Sequence, residues 1–289
     1  MSTENMDWIP GGEFQMGSSN FYPEEQPTNK TTVNGFWIDK TPVTKTEFAR
    51  FVEATDYKSV AERALDPEEY SSIDLENLEP GSLVFKPTKG PVNLNNPAYW
   101  WEFVRGANWR APLGKPEALA SDHPVVQVAF EDVTAYAKWR GKSIPTEAEW
   151  EYVARAGSDD PYFFGADGSL LCSYANTADL SAKEIYRSWE TLDCDDGQIR
   201  ARYRGKYRPN DFGVFDILGN VSEWVAECGL PKYRESQRDG TIPVDEDNCS
   251  SHAYRGGSWD ASAEESSVTF RKNATSGNDD RGIRLLREF

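Results

Sequence analysis

The first third of the chain alternates apolar and polar positions in a way that predicts short strands followed by one helix. Apolar residues bounded by Gly, Ser and Asn predict strands within residues 8–17 and 31–39. Thr44 and Glu47 have the spacing of a capping box, in which the side chain of each residue accepts the backbone N–H of the other. The apolar residues that follow recur at helical spacing, so we predict a helix over residues 45–54 with one face on the core.

Two further helices are predicted near the middle of the chain. The first covers residues 131–140 and stops at Gly141, because glycine readily adopts the left-handed conformation that ends many helices. The second begins at a capping box formed by Thr146 and Glu149 and ends at Gly157. Both patterns are amphipathic, so we assign these helices to packing and give them no chemistry.

The remaining segments are typical of loops and short strands, which places the protein in the α+β class. Residues 58–90 are acidic and lack periodicity, so we expect them to form a surface insertion. After residue 157 no helical pattern recurs, and short apolar clusters alternate with Gly, Asn, Asp and Ser. A chain of 289 residues with 38% hydrophobic content can bury a sizeable core. We predict a single domain over residues 1–289.

The strong acidity of the chain limits its partners. With a formal net charge of -17 at pH 7, the protein lacks the basic surface that binds nucleic acid or anionic lipid. No apolar run approaches the roughly 20 residues that span a bilayer, and the start of the chain does not resemble a signal peptide. We therefore expect a soluble, cytoplasmic protein without nucleic-acid or membrane partners, or a protein whose leader has been removed.

The cysteines are too few to form a disulfide scaffold, but they admit two interpretations. In an oxidising compartment Cys172 could pair with Cys194, or Cys228 with Cys249. In a reducing cytosol all of them would be ordinary thiols. The sequence leaves this choice open.

Residues 212–224 combine an apolar strand pattern with a Gly-Asn turn. Asp216 and Glu223 lie on either side of Gly219 and Asn220. Such a turn lets backbone carbonyls point inward beside the two carboxylates, and oxygen ligands of both kinds bind calcium. A plain β-turn with two solvated acids fits the same spacing.

Several separated motifs resemble the sulfatase-modifying-factor family, whose type member is the formylglycine-generating enzyme. They occur in the family's order along nearly the whole chain. The resemblance implies a complex, loop-rich variant of the C-type-lectin fold. The segments that carry it are residues 8–17, 36–39, 41–44, 106–110, 123–126, 145–152, 212–224, 255–259 and 282–285.

The resemblance also implies two calcium sites built from oxygen atoms. In the first site, an asparagine side chain and the following carbonyl combine with an acid and a carbonyl of a later loop. In the second, two acids combine with two backbone carbonyls of the Gly-Asn turn. The matching residues are Asn176, Thr177, Asp196 and Gln198 in the first site and Asp216, Gly219, Val221 and Glu223 in the second. We therefore expect Ca2+ as a cofactor.

The family's oxidation chemistry lacks its ligands in this chain. The enzyme activates oxygen with two cysteine thiolates that bind Cu(I), a soft ion that prefers sulfur. Counted from Ser258, which belongs to the oxygen pocket in the family, the two positions are Ala261 and Ser266. No cysteine follows Cys249, so no shift of register restores the pair. A tryptophan of the family's motif is also replaced, by Ser222. We therefore predict that the chain does not generate formylglycine.

Two classes of function remain. We favour a non-catalytic, calcium-stabilised domain that uses the family's cleft to bind a peptide, a protein or a glycan. The small polar residues of 260–280 suit an exposed and variable binding face. The alternative is an oxygen-dependent oxidoreductase of the same superfamily with non-standard metal ligands. The expected ligand-binding residues are Trp109, Ser258, Trp259, Ala261 and Ser266.

Overall fold

The computed structural model describes residues 3–64, 79–88, 90, 96, 99–116, 122–187, 189–233 and 249–288. Its regular elements are short and are joined by long connections. In chain order they are β1 Met6–Ile9, β2 Gly12–Met16, β3 Asn29–Val33, β4 Phe36–Asp39, α1 Lys45–Thr55, β5 Gly81–Phe85, β6 Trp101–Arg105, α2 Phe130–Arg140, α3 Glu147–Arg155, α4 Leu180–Ile185, β7 Ser222–Cys228, β8 His252–Arg255, β9 Arg271–Ala274, β10 Arg281–Gly282 and β11 Leu286–Arg287. Few helices and many short strands confirm the predicted α+β class.

Segments from near both ends of the chain meet in one antiparallel sheet. β4 lies between β1 and β11 and pairs with both. The predicted strand segments 8–17 and 31–39 are each divided in two, and the second pair of strands, β2 and β3, forms a separate ribbon. Gly11 and Gly35 lie at the breaks, where a Cβ on Gly11 would lie 2.8 Å from the Gly35 nitrogen. The close approach of the two backbones therefore requires glycine at this crossing.

A second sheet has the order β10-β7-β8-β9. β7 pairs antiparallel with β8 and parallel with β10. It is buried over most of its length, because Trp224 packs into one hydrophobic cluster and Val225 into another. The cluster around Trp224 includes Phe48 of α1, and the cluster around Val225 includes Trp150 of α3. This sheet carries the segments on either side of residues 256–270 and positions the site described below.

The three predicted helices are confirmed. α1 begins after Thr44, whose hydroxyl accepts the Glu47 N–H while the Glu47 carboxylate accepts the Thr44 N–H. α2 ends at Gly141, which has a left-handed φ of 59°. α3 begins after a second capping box and ends at Arg155, slightly before the predicted stop at Gly157. In the part of the chain that is described, no helix is long and apolar enough to cross a membrane.

Two elements depart from the prediction. β5 lies within residues 58–90, where the pattern predicts a surface loop, yet it pairs with β6 and buries Phe85 to 6% exposure. Burial of this ring among aromatic side chains stabilises a strand that its acidic sequence neighbours do not indicate. α4 lies in the half where no helix is predicted, and its six residues make fewer than two turns. Other acidic residues of the insertion lie outside the described residues, namely Asp66, Glu68, Glu69, Asp74 and Glu76.

Candidate functional site

A cleft of about 560 Å³ opens beside the segment that follows β8. Its walls are largely aromatic, and Ser258, Asp260, Asp280 and Arg281 contribute polar groups to its lining. We call these four residues the cleft floor. A cavity of this size, with apolar walls and a few polar groups, has the character of a small-ligand or peptide side-chain site. The aromatic residues along it are Phe85, Trp100, Trp101, Trp189, Tyr254 and Phe270.

The two positions that hold copper ligands in the family lie side by side. A Cβ added to Gly257 would lie 3.1 Å from the Ala261 Cβ and 3.1 Å from the Ser266 Oγ. Ala261 lines the cleft, whereas Ser266 is fully buried and donates a 2.9 Å hydrogen bond to the Ser262 carbonyl. A methyl group has no ligand atom, and this hydroxyl is both hard and already engaged. The pair therefore offers none of the soft ligands that Cu(I) prefers.

Burial and mutual repulsion raise the pKa values of the two acids of the cleft floor. The Ser258 hydroxyl donates a hydrogen bond to Asp260. Burial raises the pKa of Asp260 to about 7, and the charge of Asp280 adds to this shift. Burial also raises the pKa of Asp280 to about 6, and the positive charge of Arg281 offsets part of the rise. The cleft therefore contains two acids whose pKa values are raised above that of a free carboxyl group.

Asp280 is less well paired than its neighbour in the chain. Its Oδ1 has no hydrogen-bond partner among the described residues, and the Arg281 Nε lies 3.6 Å away. Asp279, in contrast, accepts the Arg200 guanidinium at 2.7 Å and the Phe85 N–H at 3.0 Å. A buried carboxylate oxygen without a hydrogen-bond partner costs free energy. A ligand that donates a hydrogen bond to the Asp280 Oδ1 would therefore be stabilised there.

The sequence predicts an exposed face over residues 260–280 and therefore does not indicate that Asp260 and Asp280 line the same cleft. Residues 266–271 and 277–281 are buried, and the exposed positions lie between these two runs and at Glu264. The small polar side chains satisfy one another inside tight turns: Ser262 Oγ accepts the Glu265 N–H, and Ser267 and Thr269 hydroxyls lie 3.4 Å apart. Two consecutive aspartates next to an arginine were the signal available in the sequence.

The aromatic residues divide between the cleft and the core. Phe85 contacts the rings of Trp101, Trp189 and Trp259 at centroid distances of 5.2 to 5.8 Å. Trp259 is 1% exposed, so it supports this wall from behind. Trp109, which we predicted to bind ligand, packs against Phe48 in a different cluster and donates to Glu62. The structure thus places Ser258 and Ala261 at the cleft, Ser266 and Trp259 directly behind it, and Trp109 elsewhere.

The first candidate calcium site contains buried oxygen atoms that lack partners. The Asn176 amide donates to a backbone carbonyl at 2.9 Å and to the Asn220 side chain at 3.2 Å. Its Oδ1 and the Thr177 Oγ1 have no hydrogen-bond partner among the described residues. An amide oxygen held in this way suits a calcium ion, which prefers such hard ligands.

The acid of this first site is already engaged. The Asp196 carboxylate accepts the Gln198 N–H at 2.7 Å and the Tyr207 hydroxyl. Burial raises its pKa to about 6, and the nearby Asp179 adds to the shift. A metal ion here would replace or share the Tyr207 contact and would favour the ionised form of Asp196.

In the second candidate site Asp216 has the properties of a cation ligand. Its backbone is left-handed, with a φ of 52°, and its Oδ2 accepts the Gly205 N–H. Its Oδ1 has no hydrogen-bond partner among the described residues, and burial raises the pKa of Asp216 to about 6. A Cβ on Gly219 would lie 2.3 Å from the Asn176 carbonyl oxygen, so the two candidate sites meet at one junction. Val221 is buried beside this turn.

Glu223 occupies a different environment from the one that the motif predicts. Its carboxylate accepts the Trp150 Nε1 at 2.7 Å and the Arg284 Nε at 3.0 Å. Arg284 also donates to the carbonyl oxygens of Asp39 and Phe215. Arg284 neutralises Glu223 and Trp150 helps to orient it, and the motif alone indicates neither contact. Glu223 therefore connects α3 and the C-terminal segment whether or not it contacts a metal ion.

The described residues contain no group of three or more His, Cys, Asp and Glu side chains arranged to hold a metal ion. The two candidate calcium sites are not of that kind, because amide and backbone oxygens make up most of their predicted ligands. The residues present fit calcium at Asn176 and Asp216, and they fit it less directly at Asp196 and Glu223.

The cysteines form two disulfides in the structure. Cys172 is bonded to Cys194, and Cys228 is bonded to Cys249. Both of the pairings that the sequence leaves open are therefore present. The first connects the segment before α4 to the loop after it, and the second connects the end of β7 to the segment just before β8.

Comparison with known proteins agrees with this architecture. The family model for the sulfatase-modifying factor enzyme 1-like domain matches residues 1–289. The formylglycine-generating enzyme of Mycobacterium tuberculosis is 44% identical over 239 residues, which are 81% of this chain and 77% of that protein. The inactive C-alpha-formylglycine-generating enzyme 2 of Bos taurus is 31% identical over 298 residues, covering 98% of this chain and 87% of that protein.

The solved structure of PvdO from Pseudomonas aeruginosa has the same fold. It superposes with a TM-score of 0.70 at 27% sequence identity, over 98% of this chain and 94% of that one. The matched relatives thus include enzymes and an inactive paralogue. The chain belongs to the family of sulfatase-modifying factor enzyme 1-like proteins.

Proposed function

We propose that this protein is a non-catalytic, calcium-stabilised binding domain that holds part of a peptide, protein or glycan in its cleft. The observation that carries the proposal is the pair of adjacent positions beside Gly257, where Ala261 and Ser266 replace the two copper-binding thiols. The cleft itself is retained, with about 560 Å³ of space and aromatic walls. An inactive paralogue that matches 98% of this chain supports the same interpretation.

Calcium binding is supported by the partnerless oxygens of Asn176 and Asp216. Both lie at the junction of two loops that Gly219 packs together. A divalent cation between these loops would hold them in place, and its role would be structural. The residues that would hold it are those named for the two sites, with Glu223 shared between the ion and Arg284.

The direct test restores the missing thiols. The parent protein, supplied with copper, should leave a Cys-x-Pro-x-Arg peptide unchanged when the products are analysed by mass spectrometry. The double variant Ala261→Cys with Ser266→Cys is compared under the same conditions, and Ala261→Ser serves as a control that adds a hard donor without a thiol. Oxidation of the peptide by the parent would refute the proposal. Activity confined to the double variant would show that the thiols were the missing component.

Metal analysis distinguishes the proposal from the alternative of an oxidoreductase with unfamiliar ligands. Protein purified without added metals should contain calcium and should lack stoichiometric copper or iron. Either redox metal at one equivalent would overturn the proposal.

Binding itself can be tested with peptide and glycan arrays. We expect the parent to select particular array members and Trp189→Ala to lose them, because Trp189 forms part of the cleft wall. Trp139→Ala is the matched control, since Trp139 is 40% exposed on α2, outside the cleft lining. Equal loss in both variants would assign the binding to a different surface.

The cytoplasmic location that the sequence predicts remains a prediction, and the two disulfides favour an oxidising compartment instead. We propose that the protein is exported or otherwise exposed to oxidising conditions. Thiol titration of the denatured protein, taken directly from its native source, should find no free cysteine. Detection of four free thiols would contradict this proposal and favour the cytoplasmic location.

A further inference from the structure

The cleft floor contains two carboxylates and one guanidinium group. Asp260 and Asp280 both lie in the lining, and Arg281 is the basic residue next to them. Arg281 is committed elsewhere: its guanidinium donates to the Ser276 carbonyl at 2.8 Å and lies 4.3 Å over the Tyr254 ring. Its distance of 3.6 Å from Asp280 Oδ1 exceeds that of a hydrogen bond. The floor therefore retains an acidic oxygen that lacks a donor.

The other basic residue of the cleft is also paired. Lys272 Nζ lies 2.7 Å from Glu265 Oε1 and 5.3 Å over the Phe270 ring. This pair contributes no net charge. Glu190 is exposed and lines the cleft, and its carboxylate adds a further negative charge. Summed over the described lining, the carboxylates outnumber the cationic groups.

The tryptophan wall of the cleft is suited to a cation. Trp100, Trp101 and Trp189 line the same cleft, and each of their side chains is only partly buried. The face of a tryptophan ring attracts ammonium and guanidinium groups, and the attraction increases when the pair is shielded from water. An acidic floor beside indole rings therefore selects positive charge by two independent effects.

We propose that the ligand of this cleft carries a cationic group, an ammonium or a guanidinium, that pairs with Asp280 and Asp260 while its hydrocarbon stem lies against the tryptophan wall. This inference rests on the proposed binding function and specifies its ligand chemistry. The Asp280 Oδ1, which has no hydrogen-bond partner among the described residues, is the acceptor for a hydrogen bond from the cation. The raised pKa values, about 6 for Asp280 and about 7 for Asp260, are consistent with this proposal, because a bound cation would relieve the repulsion that helps to raise them.

Three probes of similar size and different charge test the proposal: phenethylamine, 2-phenylethanol and phenylacetate. Titrations monitored by protein NMR at pH 8 should give phenethylamine an affinity at least about tenfold higher than that of the alcohol, since a hydrogen bond to a charged group exceeds a neutral one. Phenylacetate should bind most weakly. In Asp280→Asn the preference for the amine should fall by about tenfold, with the affinity for the alcohol unchanged.

The controls separate failure of this inference from failure of the proposed function. Asp211→Asn removes one exposed carboxylate outside the cleft lining and should leave the amine preference intact. Asp260→Asn provides a second floor variant if Asp280→Asn does not fold. Equal binding of amine and alcohol, a preference for phenylacetate, or no binding of the amine at millimolar concentration would overturn the cationic ligand. The array experiment would still decide whether the cleft binds anything.

Discussion

The arginine cluster, formed by Glu147, Glu151, Arg155, Arg255 and Arg271, can be compared with the cleft floor, because both are buried groups of charged side chains. In the arginine cluster each carboxylate contacts two guanidinium groups at distances of 2.5 to 3.2 Å, and the side chains are at most 7% exposed. On the cleft floor two carboxylates share one arginine, which contacts one of them at 3.6 Å. The carboxylates of the arginine cluster therefore have close cationic partners, whereas those of the cleft floor do not.

The pKa shifts follow this difference. Burial raises the pKa of Glu147, but Arg271 and Arg255 outweigh the burial and hold the pKa below its ordinary value. Burial raises the pKa of Asp260 to about 7, and a like charge adds to it. Loss of hydration is common to both sites, so the number of cationic partners decides the sign of the shift.

The extent to which buried charges are paired also distinguishes charged groups that stabilise the fold from those that bind ligand. The arginine cluster connects α3 to β8 and β9, and its charges satisfy one another inside the protein. The cleft floor opens to a cavity that can admit a molecule from solution. Buried charge alone is therefore a poor indicator of a ligand site, whereas buried charge that lacks a partner and faces a cavity is a useful one.

The largest expected effect comes from breaking the complete cluster. Arg255→Met should lower the free energy of unfolding by about 3–5 kcal/mol, because it leaves Glu147 and Glu151 without one of their buried partners. Urea denaturation at pH 7 measures the change. Lys30→Met is the control: Lys30 pairs with Glu13 at 71% exposure, and its loss should cost less than about 1 kcal/mol. Similar values for both variants would contradict the structural role of the cluster.

Removal of calcium should have the next largest effect. Asp216 resembles Asp280 in having an oxygen without a hydrogen-bond partner among the described residues, but its neighbours are loop backbones whose oxygens an ion could also bind. Calcium at a hundredfold excess over its dissociation constant should stabilise the fold by about 2.7 kcal/mol. Chelator should reverse this gain, and Asp216→Asn should abolish most of it, as measured by thermal denaturation.

Asp216→Asn is a cleaner test than Glu223→Ala. Glu223 holds Trp150 and Arg284, so its truncation leaves a buried arginine without a partner even when no metal is bound. Asp211→Asn, on an exposed side chain, controls for the loss of one charge. If chelator leaves the melting curve unchanged, the protein is not stabilised by calcium and the calcium sites are refuted.

The sequence predicted some parts of this molecule and not others for identifiable reasons. α1 and α3 were predictable because a capping box marks the start of each within the local sequence. β5 was not, since its stability depends on Phe85 packing against rings that lie far away in the chain. Its sequence neighbours are acidic and indicate a loop.

The candidate site shows the same division. The motif spacing assigns Ala261 and Ser266 to one loop, and both lie beside Gly257, since spacing within one loop is a local property. The partners of Asp280 were not predictable, because the orientation of Arg281 toward Ser276 and Tyr254 depends on the assembled sheet. The roles of Arg284 and Trp150 around Glu223 depend equally on contacts between distant segments.

The smallest expected effect is a gain in stability on the cleft floor. A carboxyl group whose pKa is raised in the folded state stabilises the fold below its unfolded pKa of about 4. That contribution is lost as the pH rises through the folded values, which are about 6 for Asp280 and about 7 for Asp260. The charged groups that act on these two acids are Asp279, Arg281, Glu265 and Lys272, together with the acids themselves.

Asp280→Asn should therefore change little at pH 4 and should stabilise the protein by about 1–2.5 kcal/mol at pH 8, where it removes a buried charge and its repulsion of Asp260. Glu151→Gln provides the contrast between the two regions, because it should destabilise at pH 8 by removing a compensated charge from the arginine cluster. Urea denaturation at the two pH values measures both variants. If Asp280→Asn destabilises the protein at pH 8 as Glu151→Gln does, Asp280 has an effective cationic partner, and the cleft floor is as complete as the arginine cluster.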